Sequence, residues 1–588
     1  MNGNRRASLD GKGRFDAFVC VAFVLLAAFL IYLPSELGAA LTIPPDSSEY
    51  SICLANLFEY GRFGFTLNGE WYPSRYAPWF SLLCLMPAYF LSGGDVLCFH
   101  WAILAFALAL LVVVWKIGAL CGLGRLASLP PILLLFMPDF VFYSRVAMTE
   151  IPYAALTAIL ALVFVRFADR SYPSVWSYVG VGMLISWAGM VRSTGFALAL
   201  PFVGVILTRR LDWGRKFVQT SILASPIAAS LLLGLVYNWV VFGNPLRSGY
   251  NYWQAVPLDF PSLTFNLENL VHAVEHFMTQ PIIWFTMVSV GVSIVYALHV
   301  LKTKAVSEHK SFLLFEVFVL SHSAVLLVLY LAYYWVDTRF FLPISICSVP
   351  LLFAVANKVL SRTDFCLKSL ILTVVSLLCL VSVVNSPNRY LYIVLGRQVW
   401  LGEAQVSGAV LPSGSVVIQR GDPNIVEHFG FKDRGLIMLP VSRENFDYVS
   451  DMIAPGRITD CQPKPDSCWQ EIIPELVAKG ICQLPFPDVF KENPNQVKKY
   501  LSAGKRVFIL QDMYFRNEFG SVKSRLECMG LSLQLFGAWT VPGISPNPIR
   551  HLYDKLLFPG YSMDSRPEIK VAYYEVVPAG EAAEGRLQ

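Results

Sequence analysis

The chain has 588 residues, of which 55% are hydrophobic and 15% charged, with a formal net charge of +5 and a mean hydropathy of +0.53. A soluble domain carries about 25% charge, so an ordinary soluble globular protein is excluded and the bilayer is the main solvent. The weak positive balance also argues against nucleic acid as a partner, because Lys and Arg sit in short loops between apolar stretches rather than along one face.

Crossing the hydrocarbon takes about 20 apolar residues. Stretches of that kind fall at 16–34, 97–116, 126–143, 151–167, 175–191, 194–208, 217–242, 281–301, 312–336, 339–357 and 367–386. They predict about eleven spans. The apolar run of the first is longer than the ~7–15 residues of a signal peptide, so it reads as an anchor despite the small residues Ala39 and Ala40. The stretch Ala77 to Leu91 is too short to cross, holds Pro78 and Pro87, and reads as interfacial.

Leaving that stretch uncrossed puts the basic clusters on one side: Arg5 to Arg14, Lys116 with Arg125, Arg166 with Arg170, Arg209 to Lys216, Lys302 to Lys310, and Lys358 to Lys368. Cytoplasmic loops hold that excess. The N-terminus is therefore expected in the cytoplasm of a multi-pass cell-membrane protein, and the long first loop, 35–96, on the outside. The outer loops hold mostly isolated arginines, among them Arg75, Arg192 and Arg339.

In chain order, the first outer loop reads Pro44-Pro45-Asp46-Ser47-Ser48-Glu49-Tyr50. Asp46 is expected as a helix N-cap with Glu49 at the third helical position, as in a capping box. The sharper reading makes Asp46 a base held at the membrane surface. Arg75 follows in Pro73-Ser74-Arg75-Tyr76-Ala77-Pro78. Glu150 opens the fourth span, where the helix dipole alone favours an acid. Arg192 and Arg339 stand at span ends on the same side. Acids with arginines on one face suit an anionic leaving group, since guanidinium clamps phosphate oxygens in fork geometry. His272-Ala273-Val274-Glu275-His276 fits the H-x-x-E-H pattern of some zinc peptidases; without a third ligand it reads as a surface helix.

After Tyr392 hydropathy falls. Strand-like runs at Ser415 to Ile418, Gly435 to Leu439, Arg506 to Leu510, Leu533 to Val541 and Ile569 to Val577 alternate with helical candidates at Pro474 to Lys479 and Gly520 to Met529. The chain is therefore expected as a polytopic α-helical membrane domain, 1–392, followed by a soluble extracytoplasmic α/β domain, 393–588. Cys461, Cys468, Cys482 and Cys528 lie in the second part, where an oxidising compartment permits disulfides; Cys461 with Cys468 is the simplest pair.

Asp46-Ser47-Ser48-Glu49-Tyr50, Arg75-Tyr76-Ala77-Pro78, Glu150, Gly243-Asn244-Pro245-Leu246 with Gly249-Tyr250, and Arg339-Phe340-Phe341-Leu342-Pro343 occur in an order and spacing that resembles the bacterial GT-C glycosyltransferases, of the protein-mannosyltransferase and aminoarabinose-transferase type. The resemblance implies inverting transfer of a hexosyl or pentosyl unit from a polyprenyl-phosphate donor to a glycan, lipid or protein acceptor. It casts Asp46 as general base, Glu150 as the second-loop acid and Arg75 in place of a phosphate-contacting lysine. No obligatory cofactor is expected, although Asp46, Glu49 and Glu150 leave room for a divalent metal. A transporter or flippase for a lipid-linked or anionic substrate is the alternative, with His100, Asp139, Glu316 and His322 as its polar path.

Overall fold

The computed structural model describes residues 45–67, 70–135, 137–170, 173–249, 281–304, 309–331, 338–359, 403–419, 427–440, 494–511, 530–541 and 569–579, with a few isolated positions between them. The predicted spans 16–34 and 367–386, His272, Glu275 and His276, the helical candidate Pro474 to Lys479, Tyr250, and Cys461, Cys468, Cys482 and Cys528 lie outside the described residues.

Helix α1 covers Pro45–Tyr60, and a hairpin of β1 (Gly64–Leu67) and β2 (Glu70–Pro73) follows, with Phe65 opposite Tyr72. A π-helical turn, Ser81–Leu85, leads into α2 (Met86–Ser92), which stops where Gly93 adopts the left-handed conformation. Then come α3 (His100–Leu120), α4 (Leu129–Leu135), α5 (Pro138–Tyr143), α6 (Glu150–Asp169), α7 (Val175–Val191), α8 (Ala199–Thr208), α9 (Trp213–Phe242), α10 (Pro281–Lys302), α11 (Lys310–Leu331) and α12 (Leu342–Val359).

Among the described residues, five helices are long and apolar enough to cross a membrane: His100–Leu120, Glu150–Asp169, Trp213–Phe242, Lys310–Tyr330 and Arg339–Val359. The expected span 126–143 is instead broken into α4 and α5. Pro138, lacking an N–H and disfavouring a helical residue before it, separates the two. Likewise 194–208 divides into a 3-10 turn, Ser193–Leu198, and α8.

Helix α6 is the hub, with 78% of its apolar window buried, and it packs on α3, α7, α11 and α12. Ala154, Ala155, Ala158 and Ala161 have no exposure, and such small residues let helices approach closely where lipid supplies no hydrophobic drive. Helix α9 is its opposite, with 11% buried and Leu232, Trp239 and Val240 facing outward, as suits a helix solvated by hydrocarbon.

In the C-terminal part, β3 (Val416–Gln419), β4 (Ile437–Pro440), β5 (Val507–Gln511), β6 (Leu531–Val541) and β7 (Ile569–Pro578) form one sheet in the order β4-β3-β5-β7-β6. The first three are mutually parallel and β7 runs antiparallel to its neighbours. Because successive side chains point to opposite faces, Val416, Ile418, Val507 and Ile509 pack on one side with Val497 of α13 (Pro494–Ser502). Val417, Phe508, Leu510, Val571 and Tyr573 fill the other. That second face shares a core with Cys53 of α1 and with Phe63, Phe65 and Tyr72 of the hairpin region. Helix α1, the hairpin and the sheet are thus one packed unit.

Candidate active site

Pro45 suits a helix N-terminus, where its missing N–H costs nothing. Asp46 follows within the first turn of α1, where the helix dipole favours negative charge. Glu49 lies three residues on, along the same face. Because the helix already begins at Pro45, Asp46 is not the N-cap expected, and Glu49 does not cap the helix end either. Its buried carboxylate instead takes hydrogen bonds from Ser74 Oγ at 2.8 Å, the Arg75 backbone N–H at 2.6 Å and Arg75 Nε at 2.7 Å. A buried charge is tolerable only with such partners, and these win over the helix end.

Arg75 then reaches Asp46 Oδ1 at 3.5 Å, and Arg339 meets the other oxygen, Oδ2, at 3.2 Å. Arg339 Nε also lies 3.7 Å from Glu150 Oε1, and Arg192 Nη1 lies 3.5 Å from that same oxygen. Glu49, Arg75, Asp46, Arg339, Glu150 and Arg192 therefore make one continuous line of alternating charge, with three acids and three arginines. Its members come from α1, the segment after β2, the start of α6, the end of α7 and the turn before α12, all at one end of the helices.

Access differs along the line. The Glu49 and Glu150 side chains are each 2% exposed, whereas those of Asp46, Arg75 and Arg339 are 20%, 27% and 22% exposed. Of the three acids, Asp46 is the one a substrate can reach. Burial pushes its carboxyl up, but the Arg339 and Arg75 charges and a hydrogen bond from Tyr76 outweigh this and hold it below the ordinary value of 3.8.

Sequence reasoning did not single out several supports. Ala147 N–H donates to Ser47 Oγ at 3.1 Å, pinning the loop before Glu150 to the helix of Asp46. Tyr50 and Tyr76 pack with ring centroids 4.3 Å apart. Phe340 lies 4.7 Å from the Arg192 guanidinium and 5.5 Å from that of Arg339, a cation–π seat that holds two like charges side by side. Gly249 comes so close to the Ser74 and Arg75 carbonyls that a Cβ there would collide with both. The signals for Ser47, Ser74 and Gly249 were their places inside the motifs already marked.

Each of the three carboxylates has at least one oxygen on an arginine, and among the described residues no three His, Cys, Asp or Glu side chains are grouped to hold an ion. The arginine-rich line suits an anion.

No family profile and no curated protein matches the chain in sequence. Solved structures do match. That of ArnT from Cupriavidus metallidurans bound to undecaprenyl phosphate aligns over 95% of this chain and 97% of its own at 12% identity, with a TM-score of 0.51. The likeness is one of fold: this chain folds as that ArnT structure does. The apo structure of the same ArnT gives a TM-score of 0.48 over the same shares at 12% identity. The archaeal oligosaccharyltransferase AglB from Archaeoglobus fulgidus, in complex with an inhibitory peptide and a dolichol-phosphate, gives 0.44 over 72% of this chain and 64% of its own, also at 12% identity. In this fold the charged line occupies one end of the multi-pass membrane bundle.

Proposed function

We propose that the protein is an inverting glycosyltransferase that moves a sugar from a polyprenyl-phosphate donor to an acceptor on the extracytoplasmic face of the membrane. The observation that carries this reading is the junction at Asp46, where an accessible carboxylate meets two guanidinium groups from distant parts of the chain. In the reaction, the acceptor hydroxyl attacks the anomeric carbon as its proton passes to an Asp46 oxygen. The bond from that carbon to the phosphate oxygen breaks, and its electron pair leaves with the phosphate. Arg75, Arg339 and Arg192 receive the departing charge in preset positions.

The donor phosphate also competes for the guanidinium groups that hold Asp46 in the resting site. Drawing them away leaves the carboxylate more basic when the acceptor arrives. Glu49 acts by holding Arg75, and Glu150 by holding Arg192 and Arg339. The outward orientation rests on the basic clusters at the other side of the predicted spans. A sugar transferase facing outward needs a donor already carried across, and this favours a lipid-linked sugar. The sheet region, taken as an extracytoplasmic domain, covers the loop of Asp46.

Purified full-length protein with a polyprenyl-phosphate sugar tests the proposal. Comparing lipid-linked sugars and envelope glycans by mass spectrometry, in cells with and without the protein, identifies the sugar and acceptor. Release of no polyprenyl phosphate with any lipid-linked sugar that accumulates in the deficient cells would refute it.

A further inference from the structure

The charged line is supported from below by a polar junction inside the helix bundle. Tyr153, fully buried, lies one turn beyond Glu150 on α6. Thr194 Oγ1 donates to Tyr153 Oη at 3.2 Å. The same phenol oxygen is 3.2 Å from His322 Nε2 on α11. Thr194 stands two residues past Arg192, whose guanidinium is 6.0 Å from the Tyr153 ring. Beyond His322, α11 runs to Tyr330, which stacks at 4.3 Å on Phe340 beside Arg339. One oxygen thus joins the three elements that carry Glu150, Arg192 and the approach to Arg339.

Hydroxyl and imidazole groups at this depth are costly without partners, and packing alone would be met by Phe. His322 is 3% exposed, and its Nδ1 has no hydrogen-bond partner among the described residues. The ring nevertheless turns Nε2 to the phenol. Two cations sharing one carboxylate repel each other, so their separation has to be imposed from outside the pair.

We propose that Tyr153 is a positioning residue. Its hydroxyl, held by Thr194 and His322, sets the spacing of Arg192 and Glu150 against the Arg339 segment so that two guanidinium groups face one phosphate. The ligand half of this inference rests on the transferase reading above; the geometric half does not.

Two measurements on the full-length protein separate them. In the first, undecaprenyl phosphate binding is measured directly. Tyr153→Phe keeps the ring and removes the oxygen, and is expected to weaken binding about tenfold, the scale of a buried hydrogen-bond partner lost. Thr194→Val should do the same and Thr194→Ser should restore binding. The double variant Tyr153→Phe with Thr194→Val should lose little more than either alone, since both break one junction. In the second, thermal unfolding of Glu150→Gln, Arg192→Gln and their double variant gives the coupling of that pair, first with Tyr153 present and again in the Tyr153→Phe background. The coupling should be measurable with Tyr153 and abolished by Tyr153→Phe. Unchanged coupling, or binding within twofold of wild type in both single variants, overturns the proposal. Loss of coupling in a protein that binds no undecaprenyl phosphate upholds the positioning role and refutes the transferase reading instead.

Discussion

Replacing Asp46 by Asn separates chemistry from architecture at this site. The amide keeps the shape of the side chain but cannot take the acceptor's proton, and general-base assistance is worth ~10² to 10⁴ in rate, or ~3–5 kcal/mol of barrier. The structural cost is smaller. Asp46 loses two ion pairs whose groups are each about a fifth to a quarter exposed, and such pairs contribute at most ~1 kcal/mol apiece, with ~0.3–1 kcal/mol more from charge near a helix N-terminus. Asp46→Asn should therefore abolish transfer while the protein inserts and melts nearly as wild type does. Glu49→Gln should do the reverse in degree, since it disturbs three hydrogen bonds to a buried acid and lowers the melting temperature more. Because the Asp46 carboxyl titrates below 3.8 in the folded chain, its stabilising contribution is complete above the unfolded value and fades only as pH falls through the lower folded one. Turnover assays of both variants beside their melting curves provide the check. Turnover by the Asn variant within a few-fold of wild type would remove Asp46 as the base.

Arg339→Gln and Arg75→Gln should each weaken binding of undecaprenyl phosphate, because each guanidinium links Asp46 to a second, buried acid, Glu150 for Arg339 and Glu49 for Arg75; direct binding measurements check both. Gly249→Ala should cut activity although no reacting group changes, because its Cβ displaces the Ser74 and Arg75 backbone; a lowered melting temperature, from ~1–3 kcal/mol of overpacking, beside reduced turnover is the expected pattern. Phe65→Ala should cost ~3–5 kcal/mol of the packing between the hairpin and the sheet, read as easier proteolysis of the outer loop. A reporter fused after Tyr392 should be active only outside the cytoplasm, and one fused within Lys302 to Lys310 only inside.

The six charged residues were legible because charge at the ends of apolar spans is costly and stands out against a hydrophobic background. The five strands were equally legible from their apolar alternation, each within a few residues of its place in the sheet. What failed was local logic overridden by distant partners. Asp46 and Glu49 spell a capping box, but Arg75 is a stronger partner for Glu49 than the helix end. The hydropathy of 126–143 hid the break that Pro138 makes. The hairpin was missed although Asn68-Gly69, the pair that tight two-residue turns prefer, stands between two aromatic runs. The shared core of hairpin and sheet leaves no local trace, because its two halves lie at opposite ends of the chain.

That shared core sets a schedule for biogenesis. Phe65 and Tyr573 pack in one cluster, so the chain must be synthesised as far as Tyr573 before the helix bearing Asp46 gains its cover. Contacts of such separation form late, after the loop-closure entropy of the intervening chain has been met. A nascent chain interrupted before β7 carries the charged residues without the layer that holds their loop. A ribosome that has not reached β7 has not yet completed the layer over the charged line, and chimeras between relatives should exchange the Asp46 helix, its hairpin and the sheet together.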